Sequence, residues 1–187
     1  MLWMFIIWCF DQQNSTFPFI FFYHLPPLKN LKLQYRLKIM ELPIINHPDY
    51  VAKINEDNKF PIGKFGALAK YLLDTKVVKK FYIPKECSID TLRSSHSLEY
   101  INHIKNKTLD INLQKKIGFP INDSVVKRSF VATGGTVLAS KLALDAKLAC
   151  NTAGGSHHAT FDYGAGYCVF NDVAVAAHYL KKKGYAK

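Results

Sequence analysis

Two histidines stand side by side at His157 and His158, directly after Gly154, Gly155 and Ser156. Imidazole takes up and returns a proton near neutral pH, so the pair could serve as base, acid or electrostatic partner in one reaction. Successive residues of a strand point to opposite faces, so adjacent histidines share a pocket only where the backbone has left strand geometry. Gly154 and Gly155 permit that departure, because glycine adopts positive φ and lets other chain segments pass close by. A neighbouring pair arises easily by chance among seven histidines, so the flanking residues must carry the signal.

Those flanks form a strand, a loop and a helix. Leu148 to Thr152 is short and apolar, as a central strand should be, and Val173 to Leu180 is apolar on most sides, as a helix buried beside a sheet should be. Pockets of open α/β sheets form where a strand ends and a helix begins. Asp162, Asn171 and Asp172 are the polar residues that could join the histidines around a metal, since zinc accepts His and Asp and needs three or four ligands. Asn171 and Asp172 also stand where a helix cap and dipole compensation would explain them without metal.

The segments AGGSHHA (153–159), GAGYCVFND (164–172) and ATGGTVLASKLAL (132–144) resemble the histone deacetylase family, in particular its bacterial branch. HPDYV (47–51), FPIGKF (60–65), SSHSLEYI (94–101) and IGFP (117–120) extend the resemblance over about residues 41 to 187. It implies an α/β protein of the three-layer arginase/deacetylase fold with a central parallel sheet, here its N-terminal portion. It further implies a zinc-dependent amidohydrolase that removes acetyl groups from acetyl-lysine or related acetylated amines. By position, His158 would be the general base and then acid, and His157 its electrostatic partner. Gly166 and Tyr167 would line the acyl-lysine channel, with Tyr167 where the family usually has Phe. The family's zinc ligands lie on later strands, so zinc is implied as cofactor while no metal ligand is expected in this chain. The expectation is therefore a truncated deacetylase completed by a C-terminal partner segment, or an inactive fragment or binding remnant.

With 187 residues, 49% hydrophobic and 21% charged, the chain suits one soluble domain. A net charge of +11 could suit nucleic acid, but the lysines are scattered and no nucleic-acid motif accompanies them, so no nucleic-acid partner is expected. Cys9, Cys87, Cys150 and Cys168 form no CxxC pair and read as thiols in a reducing compartment, hence a cytoplasmic location.

Residues 1–39 differ in character. MLWMFIIWCF is apolar but interrupted by DQQNST, and it lacks the positive start and cleavage site of a secretory signal. The expectation is an extension outside the fold, with Met40 the more natural start; its aromatic clusters beside basic residues leave an interfacial membrane contact as the rival reading. Residues 40–187 form the deacetylase-like domain. LPII before Asn46 suits a first strand, and His47 before Pro48 suits a turn. Pro61 is expected to open a helix that packs Phe65, Leu68 and Leu72 on the sheet, with Lys64 facing solvent. A structural role is expected for His96, and a loop for the polar stretch Asn102 to Asp123. Asp123 or Ser124 should cap a helix reaching Ala146, whose Gly134 and Gly135 imply a closely packed backbone; Arg128 on it could be buried or exposed.

Overall fold

The computed structural model describes residues 42–186 and, before them, the backbone of Ile6–Cys9. The remaining expectations for residues 1–39 and for Met40 fall outside the described residues. Three strands make the sheet: β1 (Ile6–Cys9), β2 (Ile44–Ile45) and β3 (Leu148–Asn151). Their order is β1-β3-β2, with β2 parallel and β1 antiparallel to β3. Tyr82 adds a parallel bridge to Ile45. Four residues of the segment expected to stand outside the fold thus pair with its central strand, a difference consistent with the β propensity of the sequence IIWC.

The helices are α1 (Lys64–Asp74), α2 (Ile89–Leu92), α3 (Leu98–Asn106), α4 (Ile111–Ile117), α5 (Asp123–Ala146) and α6 (Asp172–Lys182). Pro61 does not open α1; the chain first turns through Phe60 to Gly63, and the helix begins at Lys64. The stretch 102–123, expected as a loop, is largely helical. Asp110 caps α4 by accepting from the Asn112 amide, Gly118 closes it at φ 83°, and buried Leu109 and Ile117 anchor it in the core. The cap of α5 is Asn122, one residue ahead of the expected position, accepting from the Val125 amide.

Helix α5 is the spine. It packs on β3 and α6, and its small residues let other segments cross it at backbone distance. A Cβ on Gly134 would lie 2.0 Å from the Lys85 carbonyl oxygen, and one on Gly135 would lie 2.1 Å from the Tyr50 hydroxyl. The larger core cluster joins α3, α4 and the start of α5 through Ile101, Ile104, Ile117, Phe119 and Val125; a smaller one joins β2, β3, α5 and α6 through Ile45, Ala143, Ala149 and Leu180.

Candidate active site

Strand β3 ends at Asn151, whose side chain fixes the start of the histidine loop. Its Oδ1 accepts from the buried Tyr50 hydroxyl at 2.8 Å, while its Nδ2 donates to the Ala132 carbonyl and to Thr136 Oγ1. Beyond it the backbone leaves extended geometry, with Gly155 at φ 103°. Asp172, 1% exposed at the first turn of α6, grips the loop from below: its Oδ2 accepts from Gly155 N and from the Thr136 hydroxyl, and its Oδ1 from Ser156 N at 2.8 Å. Asn171 closes the other side. Its Oδ1 caps α6 on the Ala174 amide, and its Nδ2 donates to the carbonyls of His157 and Ala159.

The loop so held places the rings of His157 and His158 with centroids 4.1 Å apart, tilted by 39°. The two rings therefore lie side by side on one loop. His157 Nδ1 faces the Gly155 carbonyl at 2.9 Å; a carbonyl only accepts, so in this contact Nδ1 is the donor. Both rings are exposed. Gly166, at φ 54°, lies against His158: a Cβ there would come within 3.1 Å of the ring. Tyr167 follows at φ 65° and packs on Phe60 and Phe119 with centroids 4.9 and 5.3 Å away. The amides of Gly166 and Tyr167 donate to the carbonyls of Lys116 and Ile117, so α4 carries this loop.

His96 is 1% exposed and accepts from the Asn171 amide through Nε2, which ties the start of α3 to the start of α6. Burial pushes its pKa below 6.5, opposed by the nearby carbonyls of Thr160 and Phe161. Burial also raises Asp172 to about 6, against the hydrogen bonds from Thr136, Gly155 and Ser156 and the charge of Arg128. The Cys87 thiol is pushed up to about 12 by burial, and Cys150 and Cys168 are raised for the same reason, as suits inert thiols.

Among the described residues, no group of three or more His, Cys, Asp or Glu could hold a metal ion. Asp162 accepts from the Thr160 hydroxyl at 3.4 Å, and Asp172 is committed to the loop amides. Asn171 and Asp172 therefore do more than cap a helix: they hold the two histidines. Apart from its place at a helix start, the only hint of this in the sequence was an acid following the apolar run Cys168 to Phe170.

The family model for the histone deacetylase domain matches residues 60–187. An uncharacterised protein of Picosynechococcus sp. is 40% identical over 150 residues, covering 79% of this chain and 50% of that protein. Histone deacetylase 2 of Arabidopsis thaliana is 28% identical over 80% of this chain and 42% of its own length. Among solved structures, an HDAC homologue complexed with SAHA matches with a TM-score of 0.64 at 23% identity, over 76% of this chain and 42% of that one, and the HDAC homologue from Aquifex aeolicus matches at 0.63. The chain belongs to the histone deacetylase family, and its fold is the arginase/deacetylase α/β fold. It spans about half the length or less of the curated relatives it matches. No helix among the described residues is long and apolar enough to cross a membrane.

Proposed function

We propose that this chain carries the tandem-histidine half of a zinc-dependent hydrolase that removes acetyl groups from acetyl-lysine or related acetylated amines. The observation that carries this reading is the pair of imidazoles stacked 4.1 Å apart on one loop, held by Asp172 and Asn171 from the first turn of a helix. In this reading His158 takes a proton as the attacking group forms and returns it to the departing amine, and His157 offsets the charge that develops. Gly166 and Tyr167 form the channel wall for the acyl-lysine stem: the glycine leaves room beside the His158 ring, and the tyrosine packs against Phe60 and Phe119.

The described residues do not fit zinc. With Asp172 occupied by amides and a hydroxyl, the metal in this proposal belongs to residues outside those described. Both histidines are exposed. The same exposure favours a second reading for the chain acting by itself, a non-catalytic remnant. The test is acetate release from an acetyl-lysine peptide by the protein purified from its native cells. Release that stops with chelator and returns with zinc supports the hydrolase, and zinc-independent background alone supports the remnant.

A further inference from the structure

The segment from Phe161 to Asn171 leaves the histidine loop, turns through Gly166 and Tyr167 and returns to the start of α6. Both of its ends fasten to two adjacent residues ahead of α3. The Ser97 amide donates to the Phe161 carbonyl at 2.8 Å, and His96 Nε2 accepts from the Asn171 amide at 2.9 Å. Asn171 in turn reaches back with Nδ2 to the carbonyls of His157 and Ala159, one on either side of His158. A run of hydrogen bonds therefore leads from the His96 ring to the backbone that carries the His158 ring.

His96 does more here than fill space. It is 1% exposed and packs against the rings of Tyr100 and Phe170, with centroids 5.9 and 5.3 Å away. An amide only donates, so Nε2 is the acceptor in the Asn171 contact, and the neutral ring carries its proton on Nδ1. Among the described residues, Nδ1 is the one buried side-chain nitrogen or oxygen without a hydrogen-bond partner, although the carbonyls of Thr160 and Phe161 are nearby. A buried donor left without an acceptor is destabilising, and a hydrocarbon side chain in the same apolar surroundings would avoid that penalty. What a hydrocarbon would not supply is the Nε2 lone pair on the Asn171 amide.

We propose that His96 is a positioning residue for the tandem histidines: through Asn171 it fixes the backbone on both sides of His158 and so holds the two imidazoles 4.1 Å apart. Its contribution is the bond to the Asn171 amide, not a contact with substrate. The consequence for catalysis rests on the hydrolase reading, whereas the positioning itself is measurable without turnover.

The test is amide hydrogen exchange of the full chain, followed residue by residue by NMR in the wild type, His96→Leu and His96→Gln. Leucine fills the space without an acceptor, whereas the glutamine side-chain oxygen can take the place of Nε2. In His96→Leu the amides of Ser156 and Thr160, which flank the two histidines, should exchange about tenfold faster relative to the amide of buried Ile104 in α3. The Gly166 and Tyr167 amides, held by α4, should shift no more than Ile104, and His96→Gln should restore the wild-type ratio. Gly134→Ala, a destabilised variant with the His96 bond intact, should leave that ratio unchanged. Should His96→Leu fail to fold, Asn171→Ser decides: it keeps a capping oxygen, drops the donor to the two carbonyls and should raise the same ratio. On an acetyl-lysine peptide, the zinc-loaded His96→Leu protein should lose about tenfold in kcat with KM little changed, and His96→Gln should regain most of it. The expected exchange pattern without zinc-dependent turnover in the wild type would keep the positioning and sink the hydrolase reading. Equal acceleration at all these amides in His96→Leu, no recovery in His96→Gln, an unmoved ratio in Asn171→Ser, or wild-type kcat in an active His96→Leu enzyme would overturn the proposal.

Discussion

Replacing Asp172 by Asn keeps the shape of the side chain and removes its charge, which makes it a sharp probe of how the histidine loop is held. Both carboxylate oxygens accept: Oδ1 from Ser156 N, and Oδ2 from Gly155 N and the Thr136 hydroxyl. An amide offers one acceptor and one donor, so at least one loop N–H would face another N–H. Losing a charge-assisted bond and stranding a buried donor costs about 2–4 kcal/mol, reduced by relief of the buried charge. The pH dependence separates these effects. In the native state Asp172 titrates near 6, raised from 3.8 first of all by burial. Between those values the folded protein holds a proton that the unfolded chain has released. The stabilisation is therefore full below 3.8 and lost as pH rises to about 6, and the displacement amounts to about 3 kcal/mol at 1.36 kcal/mol per pH unit. Urea unfolding from pH 4 to 7 should show the wild type losing about 3 kcal/mol relative to Asp172→Asn as pH rises, a comparison that cancels other titrating groups. Parallel curves for the two proteins would refute the assignment of a buried, upward-shifted carboxylate beneath the loop.

Other substitutions test the frame around it. Gly134→Ala puts a methyl 2.0 Å from a backbone oxygen and should cost about 2–3 kcal/mol in urea unfolding, despite alanine's advantage of about 1 kcal/mol in helices. Tyr100→Phe removes a hydroxyl that donates to the Val169 carbonyl at 2.7 Å and should cost about 1–3 kcal/mol by the same assay. His96→Leu strands the Asn171 amide at a similar cost of about 1–3 kcal/mol. Because the native His96 resists protonation, its contribution is lost as pH falls through 6.5, so the leucine variant should show less acid destabilisation than the wild type across that range.

The histidine loop was legible in advance because its determinants are local: Gly-Gly ahead of the pair, a strand before and a capped helix after. The close approach at Gly134 was legible too, since two glycines inside an otherwise regular helix demand a neighbour. What escaped was decided by tertiary partners. The stretch 102–123 is rich in polar residues and so resembled a loop, yet two caps and the burial of Leu109 and Ile117 suffice to make helices of most of it. Asp172 read as a helix-dipole residue until the fold brought Gly155 and Ser156 above it, 17 and 16 positions away in sequence. Arg128 and Lys64 are 64 residues apart, yet both line one cavity beside the histidine loop, which nothing local to either one announces. The strand at Ile6–Cys9 pairs with a partner more than 100 residues away, which the composition of its segment did not disclose.

The central claim is that His157 and His158 work as one proton-handling unit, and steady-state kinetics of the zinc-loaded protein from its native source test it most directly. On an acetyl-lysine peptide, His158→Ala should lower kcat by about 10²–10⁴-fold, with KM little changed, while His157→Ala should also lower kcat, by a smaller factor. A His158→Ala enzyme that keeps the wild-type kcat would contradict the account.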